Sequence, residues 1–229
     1  MHVTSTKTVV HLAGEGIDAA ATVTARAFAD DPMFTYIFPN AERRLAPLGR
    51  FMRAALRYGV LYGEVTTTSD NAGTVLWLTP GQTDITPVRM LRSGMAALPM
   101  TIGLPAFRRF LTVVGYGEQV HSATVREPHW YLLNLAVDPS RWRQGIGSAL
   151  IAPVLARADQ NQQSCYLETN NPDNLPFTLD TALKSFTPAR YREVARPFGL
   201  YSASHACHLI AAQAKWRGFS AYRRVPMPC

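Results

Sequence analysis

The sequence has no uninterrupted apolar run of the roughly 20 residues that a membrane-spanning helix needs. The nearest candidate, residues 94–107, is short and contains Pro99 and Pro105. The N-terminus has no basic segment followed by an apolar one, so we expect no signal peptide. These absences predict a protein without a membrane partner.

Cysteine is also scarce, with only Cys165, Cys207 and Cys229. An odd number with this spacing fits neither a disulfide framework nor a metal site. We therefore expect no metal cofactor and a reducing, cytoplasmic location.

Acidic residues are few, with 16 Asp and Glu against 23 Lys and Arg, and a net charge of +7. The excess is local, because residues 178–229 hold eight Lys or Arg and two Asp or Glu. Residues 1–177 hold fifteen basic and fourteen acidic side chains and are nearly neutral. A basic tail is compatible with nucleic-acid binding, but we expect no nucleic-acid partner, because the tail has a different explanation given below.

Hydrophobic periodicity predicts alternating helices and strands, typical of an α/β (α+β) domain. The predicted strands are 6–13, 62–69, 73–80, 129–137 and 164–170, and the predicted helices are 14–28, 41–58, 87–98, 105–118 and one after Gly145. The segment 81–104 is long for a connection and is typical of a substrate-binding element.

The stretch "RWRQGIGSALI" (141–151) places Gly145 and Gly147 where a strand turns into a helix. The first amides of a helix have no partner within it, and glycine lets a phosphate come close. The residues that would offer amides to a diphosphate are Gln144, Gly145, Ile146, Gly147 and Ser148, with Arg143 beside them. An ordinary tight turn explains Gly-x-Gly equally well. A Rossmann fingerprint is excluded because Leu150 takes the place of its third glycine.

The wider stretch "LNLAVDPSRWRQGIGSALIAPVLARAD", followed by "CYLETNNPDNLPF", resembles the GNAT superfamily of N-acetyltransferases. The match covers 130–177, and the upstream half resembles the bacterial branch with antibiotic, puromycin-type acetyltransferases. The resemblance implies the GNAT acyl-CoA N-acyltransferase fold, a mixed central sheet flanked by helices. It also implies an N-acetyltransferase domain over 1–177.

The resemblance implies transfer of an acetyl group from acetyl-CoA to the amine of a small molecule. In the family the pantetheine arm lies between two splayed strands, which here correspond to 129–137 and 164–170. The residues implied to contact it are Leu135, Ala136, Val137, Asn170 and Asn174. An amide near Leu135 or Ala136 would stabilise the thioester oxyanion.

The acceptor ammonium must lose a proton before it attacks, which requires a general base. By position the first candidates are His129 and Glu127, followed by Glu118 and His121. Histidine is the side chain that most often serves as a general base near neutral pH, although a histidine at a strand end also occurs without a role.

The sequence departs from the family at two places. Trp142 replaces a Gln or Arg, which leaves the amides unaffected. At Thr178 the family has a tyrosine that protonates the departing thiolate. Residues 177–186 can be encoded so that a shifted frame reads Tyr-Thr-Arg-His-Gly-Phe-Glu-Val-Val, the family's continuation. We therefore expect 178–229 to be an atypical basic segment, and our hypothesis is that it is translated out of frame; a genuine divergent C-terminus is the alternative.

Two further functions compete with the enzyme. One is an acyl-CoA-binding protein with weak turnover, caused by the lost C-terminal element. The other is nucleic-acid binding through the tail. The sequence leaves the acceptor unidentified and allows a monomer or a homodimer.

Overall fold

The computed structural model describes residues 8–178, with the backbone of four later segments, 190–193, 201–205, 209–210 and 212–213. The helices are α1 Ile17–Ala27, α2 Pro32–Ile37, α3 Leu45–Tyr62, α4 Pro87–Ser93, α5 Leu98–Ile102, α6 Leu104–Thr124 and α7 Ile146–Gln160. The strands are β1 Val9–His11, β2 Gly63–Thr68, β3 Gly73–Leu78, β4 His129–Val137, β5 Ser164–Thr169, β6 Arg190–Glu193, β7 Tyr201–His205, β8 Leu209–Ile210 and β9 Ala212–Gln213. The predicted fold class, a mixed sheet flanked by helices, is confirmed.

The strands form one mixed sheet in the order β1-β2-β3-β4-β5-β7-β6-β9, with β8 paired to β5. The first four strands are antiparallel neighbours, and β4 and β5 run parallel, joined through α7. This parallel pair places the carboxyl ends of β4 and β5 at the same edge of the sheet, where ligands bind in open α/β sheets.

Strands β4 and β5 separate after four residue pairs. Their register runs from His129 opposite Ser164 to Leu132 opposite Leu167 and goes no further. The rest of β4 pairs with β3 through residues 134–137 but has no partner on the β5 side among the described residues. A strand edge is therefore open toward β5.

A β-bulge coincides with this separation. Leu76 lies opposite Asn134 and Trp77 opposite Leu132, so Leu133 has no opposite residue. Before the bulge Leu132 packs in the core on the α7 side, and after it Leu135 packs there too. Because a bulge shifts the alternation of side chains, Asn134 is turned to the face where it contacts Met52 of α3.

The core has one cluster on each face of the sheet. Helices α1 to α3, α5 and α6 cover one face, and Leu48, Met52 and Leu76 are fully buried there. Helix α7 covers the other with Ile146 and Leu150. The 3.6-residue spacing of apolar residues in α3 and α7 turns Leu48, Met52, Ile146 and Leu150 inward, whereas Leu45 at the start of α3 is exposed.

Three predicted elements need correction. Residues 30–40 lie outside the predicted helices and strands, but 32–37 form α2, with the Asp31 carboxylate capping its first turn and Pro32 at its first position. The predicted helix 87–98 ends at Ser93, since Gly94 adopts a left-handed conformation. Helix α6 continues past 118 to Thr124.

No helix within the described part is long and apolar enough to cross a membrane. The segment predicted to be atypical, 178–229, lies outside the described residues except for Thr178 and the strand backbones given above.

Candidate functional site

The turn between β4 and α7 exposes a row of main-chain amides. Gly145 caps the helix with φ of +73°, and Arg143 also has a positive φ of +59°. Within residues 8–178, none of the amides of 144–148 donates a hydrogen bond to the protein. Five amides at a helix N-terminus, reinforced by the helix dipole, form a site suited to an anion.

Side chains around the turn fix its shape without occupying these amides. Arg141 donates to the Gln144 side chain at 3.0 Å and to Asp70 at 3.1 Å, which ties the turn to the β2–β3 hairpin. Asp138 accepts from the Ser140 amide at 3.0 Å and pairs with Arg26 of α1. The exposed Arg143 guanidinium makes no hydrogen bond within the described residues, so it is available to an anion.

Because position 147 has no side chain, the main-chain amides of 144–148 remain accessible. A Cβ atom there would lie 3.4 Å from the Phe177 ring and 3.8 Å from Leu135. The predicted motif residues Gly147 and Phe177 therefore meet the open part of β4 at one place. Trp142, in the position that departs from the family, donates its indole N–H to the Val137 carbonyl at 2.8 Å.

A cavity of about 280 Å³ lies beside the open edge of β4. It brings together three predicted contact residues, Leu135, Asn170 and Asn174. The Asn174 side chain donates to Thr169 at 3.1 Å, which fixes its orientation at the end of β5. The predicted acceptor-binding elements also line it: α3 with Phe51, segment 81–104 with Ile85 and Met95, and α6 with Phe110 and Glu118.

Glu168 lies where β4 and β5 separate, one residue beyond the last pair, and its carboxyl lines the cavity. The Tyr166 hydroxyl donates to its Oε1. Gly117 of α6 makes room for its other oxygen, since a Cβ at 117 would lie 3.0 Å from Oε2. Burial raises the pKa of Glu168 to about 8. A carboxyl group in this range can accept a proton near neutral pH.

Glu118 is a second cavity carboxyl with a raised pKa, again because of burial. Its Oε2 lies 3.7 Å from Nδ1 of His121. Burial and the neighbouring His129 lower the pKa of His121 to about 4, so the contact with Glu118 is not an ion pair at neutral pH.

Hydrogen bonds define the tautomers of the two histidines. Nδ1 of His129 lies 2.7 Å from the Glu127 carbonyl, which can only accept, so Nδ1 carries the proton. The Nε2 atoms of His129 and His121 lie 2.8 Å apart, so His121 donates there. Nδ1 of neutral His121 is left as a buried acceptor without a hydrogen-bond donor in the described structure.

The structure places the two first-ranked base candidates away from the cavity. His129 is only 4% exposed, and its two ring nitrogens face His121 and the Glu127 carbonyl. The Glu127 side chain is exposed and lies 3.5 Å from Ser164. Neither residue lines the cavity, so the geometry favours Glu168, which sequence reasoning missed. The available signal was a glutamate in an otherwise buried strand, "CYLET", since such residues are rarely buried without a role.

Thr178 closes the described part of the cavity. It is buried, lines the cavity and donates its hydroxyl to the Asn174 carbonyl at 3.0 Å. No group of three or more His, Cys, Asp or Glu side chains in the described ranges is arranged to hold a metal ion.

Comparison with known proteins agrees with this geometry. Residues 108–177 match the model of the acetyltransferase (GNAT) family. An uncharacterized N-acetyltransferase of Schizosaccharomyces pombe is 29% identical over 166 residues. That match covers 69% of this chain and 66%, just under two thirds, of that protein.

Solved structures share the fold at lower identity. A Corynebacterium glutamicum structure described as histone acetyltransferase HPA2 and related acetyltransferase has a TM-score of 0.57 and 20% identity, over 90% of this chain and 93% of that one. The C-terminal condensation domain of Ebony, in complex with beta-alanyl-dopamine, has a TM-score of 0.52 and 10% identity, over 80% and 82%. Residues 108–177 thus carry the sequence similarity to the acetyltransferase (GNAT) family, and the fold is the one that these acetyltransferase structures share.

Proposed function

We propose that this chain transfers an acetyl group from acetyl-CoA to the amine of a small molecule by direct attack. The observation that carries the proposal is the conjunction of a free strand edge on β4, unpaired amides on α7 and a perturbed carboxyl at the point where the strands part. The strand edge can pair with an amide chain, the unpaired amides can bind a diphosphate, and the carboxyl can accept a proton.

Acetyl-CoA would bind along this line of features. The amides of 144–148, with Arg143, hold the diphosphate through charge-assisted hydrogen bonds. The pantetheine arm carries amide groups and pairs with residues 133–137 in the manner of an added strand. Asn170 and Asn174 line the same cavity and can bond to the arm.

The thioester then lies near the bulge of β4. An amide of Leu135 or Ala136 would stabilise the oxyanion of the tetrahedral intermediate, a contribution of roughly 10²–10³ in rate in other acyl-transfer enzymes. The new C–N bond forms as the amine nitrogen attacks the carbonyl carbon, and the C–S bond then breaks to release coenzyme A thiolate.

Glu168 accepts the proton that the acceptor ammonium must lose. Its carboxyl lies at the strand separation and faces the cavity, while His129 and Glu127 do not. Glu118 lines the same cavity on the side of α6 and is a second carboxyl that can accept a proton.

A turnover assay tests the proposal. The chain is incubated with acetyl-CoA and a panel of amines, and free coenzyme A thiol is measured with a thiol reagent. Amine-dependent thiol release supports acetyl transfer. Binding of acetyl-CoA without release under any acceptor would refute it.

That second outcome corresponds to a weak or inactive acyl-CoA-binding protein. Thr178 is the observation that favours this alternative, because a threonine hydroxyl is a far weaker acid than the family's tyrosine at that position. Its hydroxyl is also engaged with Asn174.

Substituting Gly147 tests whether the amides of 144–148 bind the diphosphate. Gly147→Val should weaken acetyl-CoA binding about 10- to 100-fold, the loss expected when one or two hydrogen bonds to a charged group are blocked. The reason is that its side chain would meet Phe177 and cover the neighbouring amides. Isothermal titration calorimetry gives the dissociation constant.

Gly49→Val in α3 is the matched control, because a Cβ at Gly49 meets nothing within 4 Å. Equal acetyl-CoA affinity of the Gly147→Val chain and the original, with both folded by circular dichroism, would place the diphosphate elsewhere.

The pH dependence follows from Glu168. Its protonated form cannot accept a proton, so kcat/KM should rise with pH and level off above about 8, the pKa of this carboxyl. The profile is measured with two acceptors whose amine pKa values differ by about two units. If kcat/KM rises with an apparent pKa near 8 for both acceptors, the titrating group belongs to the enzyme. A profile whose apparent pKa only follows that of the amine contradicts the assignment to Glu168.

Narrower properties remain proposals. The upstream resemblance supports an antibiotic-type amine as acceptor, and the cysteine content supports a cytoplasmic location. A monomer and a homodimer are both compatible with the site, since every residue invoked above comes from one chain.

A further inference from the structure

Four phenylalanine rings form one continuous wall of the cavity. Phe28 and Phe34 lie 5.5 Å apart, Phe34 and Phe51 5.5 Å, and Phe51 and Phe110 4.9 Å, all edge-to-face. The rings come from four separate elements, the end of α1 and helices α2, α3 and α6. A wall of interlocked rings is rigid and offers no hydrogen bonds, so it suits an apolar group rather than a sugar.

A carboxyl group is set into this wall at Asp31. Its Oδ1 accepts from the Met33 amide at 2.9 Å, and the residue lines the cavity between Phe28 and Phe34. Burial raises the pKa of Asp31 to about 6, while main-chain hydrogen bonds act in the opposite direction. The Asp31 carboxyl is therefore mostly ionised at pH 7 and above. Within residues 8–178, no Lys, Arg or His side chain forms an ion pair with it.

The acidic and basic side chains among the described residues that line the cavity are all carboxyl groups; Asp31, with a pKa of about 6, is mostly ionised at pH 7, whereas Glu168, with a pKa of about 8, is largely protonated there. Asp31, Glu118 and Glu168 line it, and no Lys, Arg or His is among its described lining residues. A cationic acceptor gains from this arrangement, whereas an acceptor carboxylate or phosphate would meet like charge with no partner.

The size of the cavity limits the acceptor further. Its volume of about 280 Å³ equals that of roughly nine water molecules. The thioester end of the donor must share this space. This space favours a small acceptor.

We propose that the acceptor is a small hydrophobic primary amine without an acidic group, and that Asp31 selects for its positive charge. The inference rests on the acetyl transfer proposed above and specifies its substrate class. The apolar part of the amine packs on the phenylalanine wall, and the nitrogen faces the carboxyl groups near the strand separation.

A pair of acceptors that differ by one carboxylate tests this class. Wild-type kcat/KM should be at least about 100-fold higher for 2-phenylethylamine than for phenylalanine. Asp31→Asn should reduce the ratio of the two kcat/KM values about 10-fold, because asparagine keeps the helix cap but removes the charge. Asp30→Asn is the matched control: the Asp30 side chain is fully exposed, and this change should leave the preference intact.

Equal use of the two acceptors by the wild type, or an unchanged preference in Asp31→Asn, would overturn the inference while leaving acetyl transfer in place. Calorimetric binding of 2-phenylethylamine in the presence of coenzyme A provides a measurement independent of turnover. Binding of this amine but not of phenylalanine supports the inference even if no acceptor is acetylated. Failure of 2-phenylethylamine to bind refutes it.

Discussion

The Glu168→Gln chain is expected to lose about 10²- to 10³-fold in kcat, the range for removing a positioned proton acceptor. Glutamine keeps an oxygen that can accept the Tyr166 hydroxyl, so the contact beside Gly117 survives. Only the ability to take a proton is lost. Initial rates of coenzyme A release at saturating acetyl-CoA and acceptor measure the effect, and the acetyl-CoA dissociation constant should change little.

Two further variants serve as a control and as a test of the alternative base. Glu42→Gln removes an exposed carboxylate and should leave kcat unchanged. His129→Gln tests the residue that the sequence ranks first. A large loss of kcat in His129→Gln, with Glu168→Gln near the original rate, would return the proton-accepting role to His129.

The Thr178→Tyr chain is expected to gain about 10²-fold in kcat, provided that protonation of the thiolate limits the original chain. Position 178 lines the cavity close to Asn174, so a phenol there lies within the region where the thioester is expected. Thr178→Phe is the matched control, since it adds the ring without the acidic hydroxyl. An equal gain in both variants, or a gain in neither, would remove the tyrosine from the mechanism.

The same position bears on the reading-frame hypothesis. The family match ends at residue 177, one residue before the point at which the shifted codons would begin. This coincidence supports our proposal that 178–229 is read out of frame. The gene sequence decides it: codons around 177–186 that yield no Tyr…Gly-Phe reading in another frame would leave a genuine, divergent C-terminus.

The regular part of the site was predictable from sequence because it depends on local rules. A buried apolar run fixed β4, glycines at a strand–helix junction indicated the turn, and helical spacing oriented α7. The amides of 144–148 follow from that geometry alone, since a helix cannot satisfy its first donors.

What sequence reasoning missed depends on contacts between distant residues. Glu168 was taken only as part of a strand, because its surroundings come from α6 and β4, far away in sequence. No Gly or Pro at Leu133 indicates the β-bulge in the sequence, because the bulge arises from the register of β3 against β4. Helix α2 was missed although Asp31 and Pro32 are a recognised start signal, because aromatic residues dominated the segment.

The gap in α6 at Gly117 has a consequence for how this protein can change. A glycine inside a helix costs about 0.5–1 kcal/mol relative to alanine, and here that cost leaves space for the Glu168 carboxyl. In the proposed mechanism, the glycine that lowers the stability of α6 allows the Glu168 carboxyl to lie beside the cavity, a trade-off common at active sites. If the acetyl transfer proposed above were no longer under selection, replacement of Gly117 by alanine would be among the first stabilising changes expected in α6.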